Sequence, residues 1–297
     1  MVFDVLVINA NPLLNLVHTG DYVPGTVNRV PSLQMHAEGK GVNVARVLAR
    51  HGHRVVLSGF AGGHSGAWLR ELMAREGVED AWIETAAPLR VGFMASGSAD
   101  HHPTTVFPTG FAVTPGECAA LLDRIRSLLG SVWLVIASGS TPDPVAEPLY
   151  AELLALCARH SVPCWLDAYG PAMNRALAGP ILPALAKPNQ EELEAGSGWE
   201  RVGELHVTDG AASVRVEYRG GQRRTVAPPA IRQVNPVGSG DCYVAGLAHG
   251  WLRGMEPDER LRYAAAAGAA NAMRQEVAMI GPDEIEPLLP LVRFDPV

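Results

Sequence analysis

From Thr114 onward the chain alternates short apolar runs with amphipathic stretches of helical length. A helix over 117–129 precedes a strand over 132–137, a helix over 144–160 precedes a strand over 162–166, and a short helix over 171–178 precedes a strand over 181–186. Strands built almost wholly of apolar residues and separated by helices pair in parallel, because each helical crossover returns the chain to the same edge and covers one face of the sheet. Right-handed crossovers then place helices on both faces. The first half repeats the unit: a strand over 3–8 before a helix from Gly41 to Arg50, then a strand over 54–58 before a helix over 67–75. The pattern predicts an α/β fold of three layers, α/β/α, around a central, mostly parallel sheet. Strands at 206–208, 213–218 and 223–227 follow, and helices over 239–253, 258–273 and 283–291 end the pattern.

Two stretches break the alternation. Residues 13–37 read as irregular, with short alternating pieces at 27–30 and 32–36, and residues 83–107 read as short strands joined by turns. Together they predict a small β-sheet that folds over the open end of the main sheet as a lid. Neither repeat nor low-complexity linker divides residues 1–297, so a single domain with this lid is expected. In open α/β sheets ligands bind outside the carboxyl ends of the strands.

Composition removes several function classes. A net charge of -7 without a basic block leaves no electrostatic footprint for nucleic acid. The start, MVFDVLVINANP, lacks a basic segment and cleavage site, and no apolar run reaches membrane-spanning length. The expectation is a cytoplasmic protein without a membrane partner. Cys118, Cys157, Cys164 and Cys242 form no CxxC pair and read as reduced thiols. The His101-His102 pair sits in a polar stretch and reads as exposed rather than metal-binding.

The chemistry concentrates in four stretches. Val237-Gly238-Ser239-Gly240-Asp241 opens a helical apolar pattern. Glycines let backbone N–H groups converge on one point, and a helix N-terminus adds partial positive charge, so an anion is favoured there with Asp241 beside it as a base. The plainer alternative is a glycine loop before a helix capped by Ser239, with Asp241 complementing the helix dipole. Gly39-Lys40-Gly41-Val42-Asn43 opens another helix, with Asn43 one turn after Lys40; a solvated lysine at a helix start is the alternative to binding. No Walker A pattern surrounds Lys40. Lys187-Pro188-Asn189-Gln190-Glu191-Glu192 follows a strand; Asn189 and Glu192 suit both a hydrated Mg²⁺ and a capping box, and Lys187 suits phosphate oxygens. Ser138-Gly139-Ser140, Asp167-Ala168-Tyr169-Gly170 and Thr208-Asp209-Gly210 each end a predicted strand.

Gly39 to Arg46, the Lys187-Pro188-Asn189-x-x-Glu192 stretch and Gly238-Ser239-Gly240-Asp241, in this order and spacing, resemble the PfkB (ribokinase-like) carbohydrate kinases, and most of all the 1-phosphofructokinase and tagatose-6-phosphate kinase group. Asn11-Pro12, Asn28-Arg29, Arg90 and Ser138-Gly139-Ser140 match the same group. The resemblance implies transfer of the γ-phosphoryl of ATP to a sugar hydroxyl. Asp241 is then the base, the backbone of Gly238, Ser239 and Gly240 the anion hole, and Asn189 and Glu192 the Mg²⁺-positioning pair. Lys187, Thr208, Gly210, Gly238, Gly240 and Asn271 would meet the nucleotide. Asn15, Gly39, Lys40, Asn43 and Ser138 would face the sugar, with Arg29 and Arg90 on a phosphate already attached to it. The lid often makes dimer contacts in the family, so a homodimer is expected.

The chain departs from the family pattern on the sugar side: Asn15 stands for an aspartate, Glu38 for a glycine, and Phe107-Pro108-Thr109-Gly110 replaces Asn-Glu-Pro-Gly. The connection from Asn189 to Thr208 is also short. Three functions follow: a kinase for a ketohexose phosphate, a kinase for an unphosphorylated sugar or nucleoside, and a non-catalytic sugar- or nucleotide-binding regulator that retained the fold.

Overall fold

The computed structural model describes residues 2–97 and 103–294; His101 and His102 lie outside the described residues. The chain opens with β1 (Val5–Asn9), then β2 (Leu13–Thr19), β3 (Gln34–Glu38), α1 (Lys40–Arg50), β4 (Val55–Gly59), α2 (Gly63–Arg75), β5 (Glu79–Asp80), β6 (Val91–Ser96) and β7 (Thr104–Val106). The second half carries α3 (Pro115–Leu128), β8 (Leu134–Ser138), α4 (Leu149–Arg159), β9 (Cys164–Asp167), α5 (Gly170–Ala178), β10 (Leu185–Ala186) and α6 (Gln190–Ala195). It continues with β11 (Glu204–Val207), β12 (Val214–Tyr218), β13 (Arg223–Ala227), α7 (Ser239–Leu252), α8 (Pro257–Ala272), α9 (Pro282–Ile285) and β14 (Arg293–Phe294).

A 10-stranded sheet runs β14-β13-β12-β11-β10-β9-β8-β1-β4-β5, and a separate 4-stranded sheet runs β3-β2-β6-β7. In the large sheet β5, β4, β1, β8, β9, β10 and β11 pair in parallel, and β12 to β14 add antiparallel at one edge. Side chains of β1 alternate between two cores. Val5 and Val7 pack with α1, α7 and α8, while Leu6 and Ile8 pack with α3, α4 and α5. The three layers are those the alternation predicted. α7 and α8 approach closely: a Cβ on Gly246 would lie 2.8 Å from the Ala264 Cα.

Local differences from the sequence pattern have physical causes. The lid's central strand, β2, was not visible, because it is buried on both faces and shows no polar–apolar alternation. Residues 27–30 are instead irregular and mostly exposed. The helix expected from residue 144 is a 3₁₀ turn, Pro144–Ala146, followed by α4, with Pro148 at the break. The strand expected over 181–186 shrinks to Leu185–Ala186, since Pro183 has no N–H for a ladder. α2 starts at Gly63, four residues early, and the last expected helix is α9 plus a 3₁₀ stretch holding Pro290. The short Asn189–Thr208 connection still completes the parallel β10–β11 pair through α6.

Candidate active site

Asp241 sits in the first turn of α7, and Gly238 is the N-cap at φ 81. A side chain at Gly238 would be strained by that φ and would place its Cβ 2.6 Å from Val277 Cγ1. No side chain caps α7, so Ser239 does not play the capping role the sequence allowed. Its Oγ instead accepts from Asn271 Nδ2 at 3.0 Å. The same Nδ2 donates to Val237 O at 2.8 Å, and Ala278 N donates to Asn271 Oδ1 at 2.7 Å. Asn271 thus ties the glycine loop to the 278 loop. The N–H groups in the first turn of a helix have no intrahelical acceptor and point out of its end, and those of Gly240 and Asp241 are among them.

Lys187, Asp167 and Lys40 lie against this helix end. Asp167 closes β9, is 1% exposed, and its Oδ1 accepts from Lys187 Nζ at 3.1 Å and Lys40 Nζ at 3.3 Å. Lys40 also donates to Glu192 Oε1 at 3.1 Å and lies 5.1 Å above the Tyr169 ring. A Cβ on Gly240 would come within 3.3 Å of Lys187 Nζ. Burial pushes the Asp241 carboxyl up, the Asp167 charge adds to it, and Lys40, Asn43 and Lys187 oppose them, for a net position of about 7. Burial alone would raise Asp167; the two lysines overcome it and hold the group below its ordinary value. Burial would lower Lys40, yet Asp167, Glu192 and Asp241 together hold it above its ordinary value. A carboxylate near neutrality is matched to proton transfer at physiological pH.

The turn into α1 is shaped by Asn9, at the end of β1. Asn9 Oδ1 accepts from Val42 N at 3.0 Å, and a Cβ on Gly39 (φ +134) would lie 2.4 Å from that oxygen. Lys40 and Asn43 then diverge: Lys40 reaches Asp167, while Asn43 Nδ2 donates to Asp241 Oδ2 at 2.7 Å. Asn189 and Glu192 form a complete capping box. Glu192 N donates to Asn189 Oδ1 at 2.7 Å and Asn189 N donates to Glu192 Oε2 at 2.9 Å. The other Glu192 oxygen faces Lys40, so the pair is both a cap and part of the charged cluster. Thr208 lies beside them through a bridge to Asn189, and Gly210 follows at φ +52 with open space around it.

Unpartnered polar atoms collect where the lid meets the strand ends. Among the described residues the buried side-chain atoms with no protein hydrogen-bond partner include Asn9 Nδ2, Asn11 Oδ1, both polar atoms of Asn15, Ser138 Oγ and Asp167 Oδ2. Ser138 pairs in register with Asp167, and Asn9 comes one residue after the Ile8–Ala137 pair, so Asn9, Ser138 and Asp167 stand side by side. Asn15 lies on the same lid face as Glu38, diagonally across β2 and β3. Burial holds the Glu38 carboxyl above its ordinary value, and the Asn15 amide and the Arg46 guanidinium offset that only in part. The amide is close enough for that influence but outside hydrogen-bonding geometry. Arg90 is occupied: it donates to Pro12 O at 3.1 Å, Pro108 O at 2.5 Å and Asn11 O at 2.7 Å, fastening the lid to the strand end. Arg29 is exposed in the irregular stretch before β3.

Sequence reasoning gave Asp167 and Asn9 no role, and passed over Arg46 and Glu76. An aspartate at a strand end was the one signal available for Asp167. Among the described residues no group of three or more His, Cys, Asp or Glu side chains could by itself hold a metal ion. A hydrated Mg²⁺, held by one or two carboxylates and by phosphate oxygens, asks less of the protein, and Glu192 fits that requirement.

A sequence profile described as pfkB family carbohydrate kinase matches residues 12–280. A tagatose-6-phosphate kinase of Staphylococcus epidermidis is 27% identical over 95% of this chain and 96% of its own length. Among solved structures, a possible 1-phosphofructokinase from Thermotoga maritima is 22% identical with a TM-score of 0.90, covering 99% of each chain. The tetrameric inhibited form of phosphofructokinase-2 from Escherichia coli is also 22% identical, with a TM-score of 0.86 over 97% of this chain and 98% of that one.

Proposed function

Because the chain belongs to the pfkB family of carbohydrate kinases, we propose that it transfers the γ-phosphoryl of ATP to a hydroxyl of a ketohexose phosphate, as a 1-phosphofructokinase-like enzyme. The observation that carries this reading is the set of buried, unpartnered polar atoms on Asn9, Asn11, Asn15 and Ser138. Buried polar atoms are ordinarily satisfied, and a polyol supplies donors and acceptors in the density this set requires. Asp241 takes the proton of the acceptor hydroxyl as that oxygen attacks. The N–H groups at the start of α7 stabilise charge on the transferred group, and Lys187 and Lys40 face phosphate oxygens. Glu192 and Asn189 would hold a hydrated Mg²⁺, which would neutralise charge on the nucleotide phosphates. Thr208, Gly210 and the loop held by Asn271 border the nucleotide. Arg90 and Arg29 serve the sugar phosphate; Arg90 has N–H groups beyond the three that its carbonyl contacts use.

A second reading, a kinase for an unphosphorylated sugar, draws on Glu38. A buried carboxylate beside Asn15 repels a phosphate and welcomes hydroxyls. A homodimer through the lid is supported by Val91, Phe93 and Val106, which are 42%, 38% and 63% exposed on that sheet. No helix among the described residues is long and apolar enough to cross a membrane. ATP consumption measured across fructose 1-phosphate, fructose 6-phosphate, tagatose 6-phosphate, free hexoses and nucleosides tests the proposal, with Asp241→Asn as control. Turnover of a ketohexose phosphate, reduced about 10²–10⁴-fold in the variant, is expected. Turnover of free sugars alone supports the Glu38 reading, and turnover of none supports a binding protein.

A further inference from the structure

Arg46 ends the Gly39–Arg46 stretch and has so far been given no role of its own, yet it is 3% exposed and its hydrogen bonds reach three elements. Nε donates to Glu76 Oε2 at 2.5 Å and Nη2 to Glu76 Oε1 at 2.9 Å, so a carboxylate at the end of α2 grips the guanidinium from one side. Nη2 also donates to Ala37 O of β3 at 2.8 Å. Nη1 donates to Asn43 Oδ1 at 3.3 Å, and the other end of that same amide donates to Asp241 Oδ2 at 2.7 Å.

The two ends of an asparagine amide have similar shape and opposite hydrogen-bonding character, so a partner of fixed character decides which end points where. A guanidinium only donates. With Arg46 in place, the atom of Asn43 turned toward it must be the oxygen, and the atom turned toward Asp241 must be the NH₂. A rotated amide would set two donors against each other at Arg46 and two oxygens against each other at Asp241. We infer that Arg46, anchored by Glu76, is a positioning residue for the base: it fixes the Asn43 amide so that Asp241 is always offered a donor. A donor favours the carboxylate over the acid, so the ion pair keeps Asp241 ready to accept a proton.

Asp167, Lys40 and Lys187 act on Asp241 directly and are untouched by changes at Arg46. His36 and Glu38 of β3 and Cys242 of α7 feel the guanidinium charge. The inference concerns how Asp241 is held; its use as a base rests on the proposed function, and the experiment separates the two.

The titration of Asp241 is read by carboxyl ¹³C NMR in protein labelled at aspartate, its signal identified by its loss in Asp241→Asn. Arg46→Met frees the amide and should raise the Asp241 midpoint by about one unit, the size of a charge-assisted hydrogen bond. Arg46→Lys, which still only donates, should move it much less. In an Asn43→Ala background Arg46→Met should have no further effect. An unmoved midpoint in Arg46→Met, or an equal shift with and without Asn43, overturns the inference. Should Arg46→Met strand Glu76 and fail to fold, Arg46→Met with Glu76→Leu removes the stranded charge and is read in the same way. The acid limb of kcat/KM should follow the NMR midpoint. If the midpoint moves and the limb does not, Asp241 is not the base, while the relay stands.

Discussion

Replacing Asp167 by Asn removes one charge from the centre of the site and should alter two properties in opposite directions. Asp167 is 1% exposed and its Oδ1 accepts from Lys187 at 3.1 Å and from Lys40 at 3.3 Å. Lys40 keeps Glu192 at 3.1 Å and the Tyr169 ring in the variant, and it is 26% exposed. Lys187 is 4% exposed and Asp167 is its ion-pair partner, so the loss falls there. Removing one member of a buried pair costs about 3–5 kcal/mol. The Asn side chain retains an acceptor oxygen, which puts the expected loss at the lower end, about 3 kcal/mol, and lowers Tm by about 6 °C or somewhat more. Catalytic acidity should move the other way. The Asp167 charge raises the Asp241 carboxyl, so its removal should shift the acid limb of kcat/KM to lower pH. Calorimetry and urea unfolding read the first effect, and a pH–rate profile reads the second. ATP with Mg²⁺ should restore more stability to the variant than to the wild type, because phosphate oxygens return negative charge to Lys187. A loss under about 1 kcal/mol, well below the range for a broken buried pair, together with an unmoved limb, would refute the reasoning.

Glu192→Gln keeps an acceptor for the Asn189 N–H but loses the charge that faces Lys40; it should raise the Mg²⁺ concentration for half-maximal rate severalfold while stability falls by about 1 kcal/mol or less. A lower melting temperature with unchanged Mg²⁺ dependence would leave Glu192 as a helix cap alone. A second effect concerns a histidine cluster at the other end of α7, where burial, His51, His53 and Arg253 push His249 down to about 3. His53 Nε2 and His249 Nδ1 share a hydrogen bond of 2.9 Å, and the His249 ring stacks on Tyr263. A histidine depressed in the folded state charges first in the unfolded chain, so stability present above about pH 6.5 is lost as pH falls toward 3. Between pH 6.5 and 5, urea unfolding should show a loss of about 2 kcal/mol from this residue, and His249→Leu should flatten that slope. An equal slope in wild type and variant would place the acid sensitivity elsewhere.

Legibility in the sequence followed locality. The glycines before Asp241, the Asn189–Glu192 box and the parallel alternation are patterns within a few residues, and each has its counterpart in the structure. Asp167 was seen only as a strand end, because its partner Lys40 lies 127 residues away and the meeting depends on strand order. Asn43 was placed on the Lys40 face of α1, yet it turns to Asp241, 198 residues on. The sequence offers Arg90 only as a ligand for the sugar's phosphate, since nothing in its neighbours reveals that three carbonyls converge on it. β2 left no periodic trace because the lid buries both of its faces.

The charge count at the strand ends bears on the metal. Asp167, Glu192 and Asp241 face Lys40 and Lys187, so the cluster is short of one positive charge when all three carboxyls are ionised. The position of Asp241 near 7 reflects that shortage together with its burial. Triphosphate oxygens entering beside Lys40 and Lys187 would add further negative charge and draw both lysines from the carboxylates that now hold them. A divalent cation held by Glu192 would offset that charge and would leave Asp241 able to accept rather than retain a proton. Without the cation, Asp241 should titrate above its ligand-free position when ATP is present. With Mg²⁺ added, the same carboxyl signal should return toward about 7. A midpoint indifferent to ATP in both conditions would mean that the phosphates bind too far from Asp241 for this balance to matter.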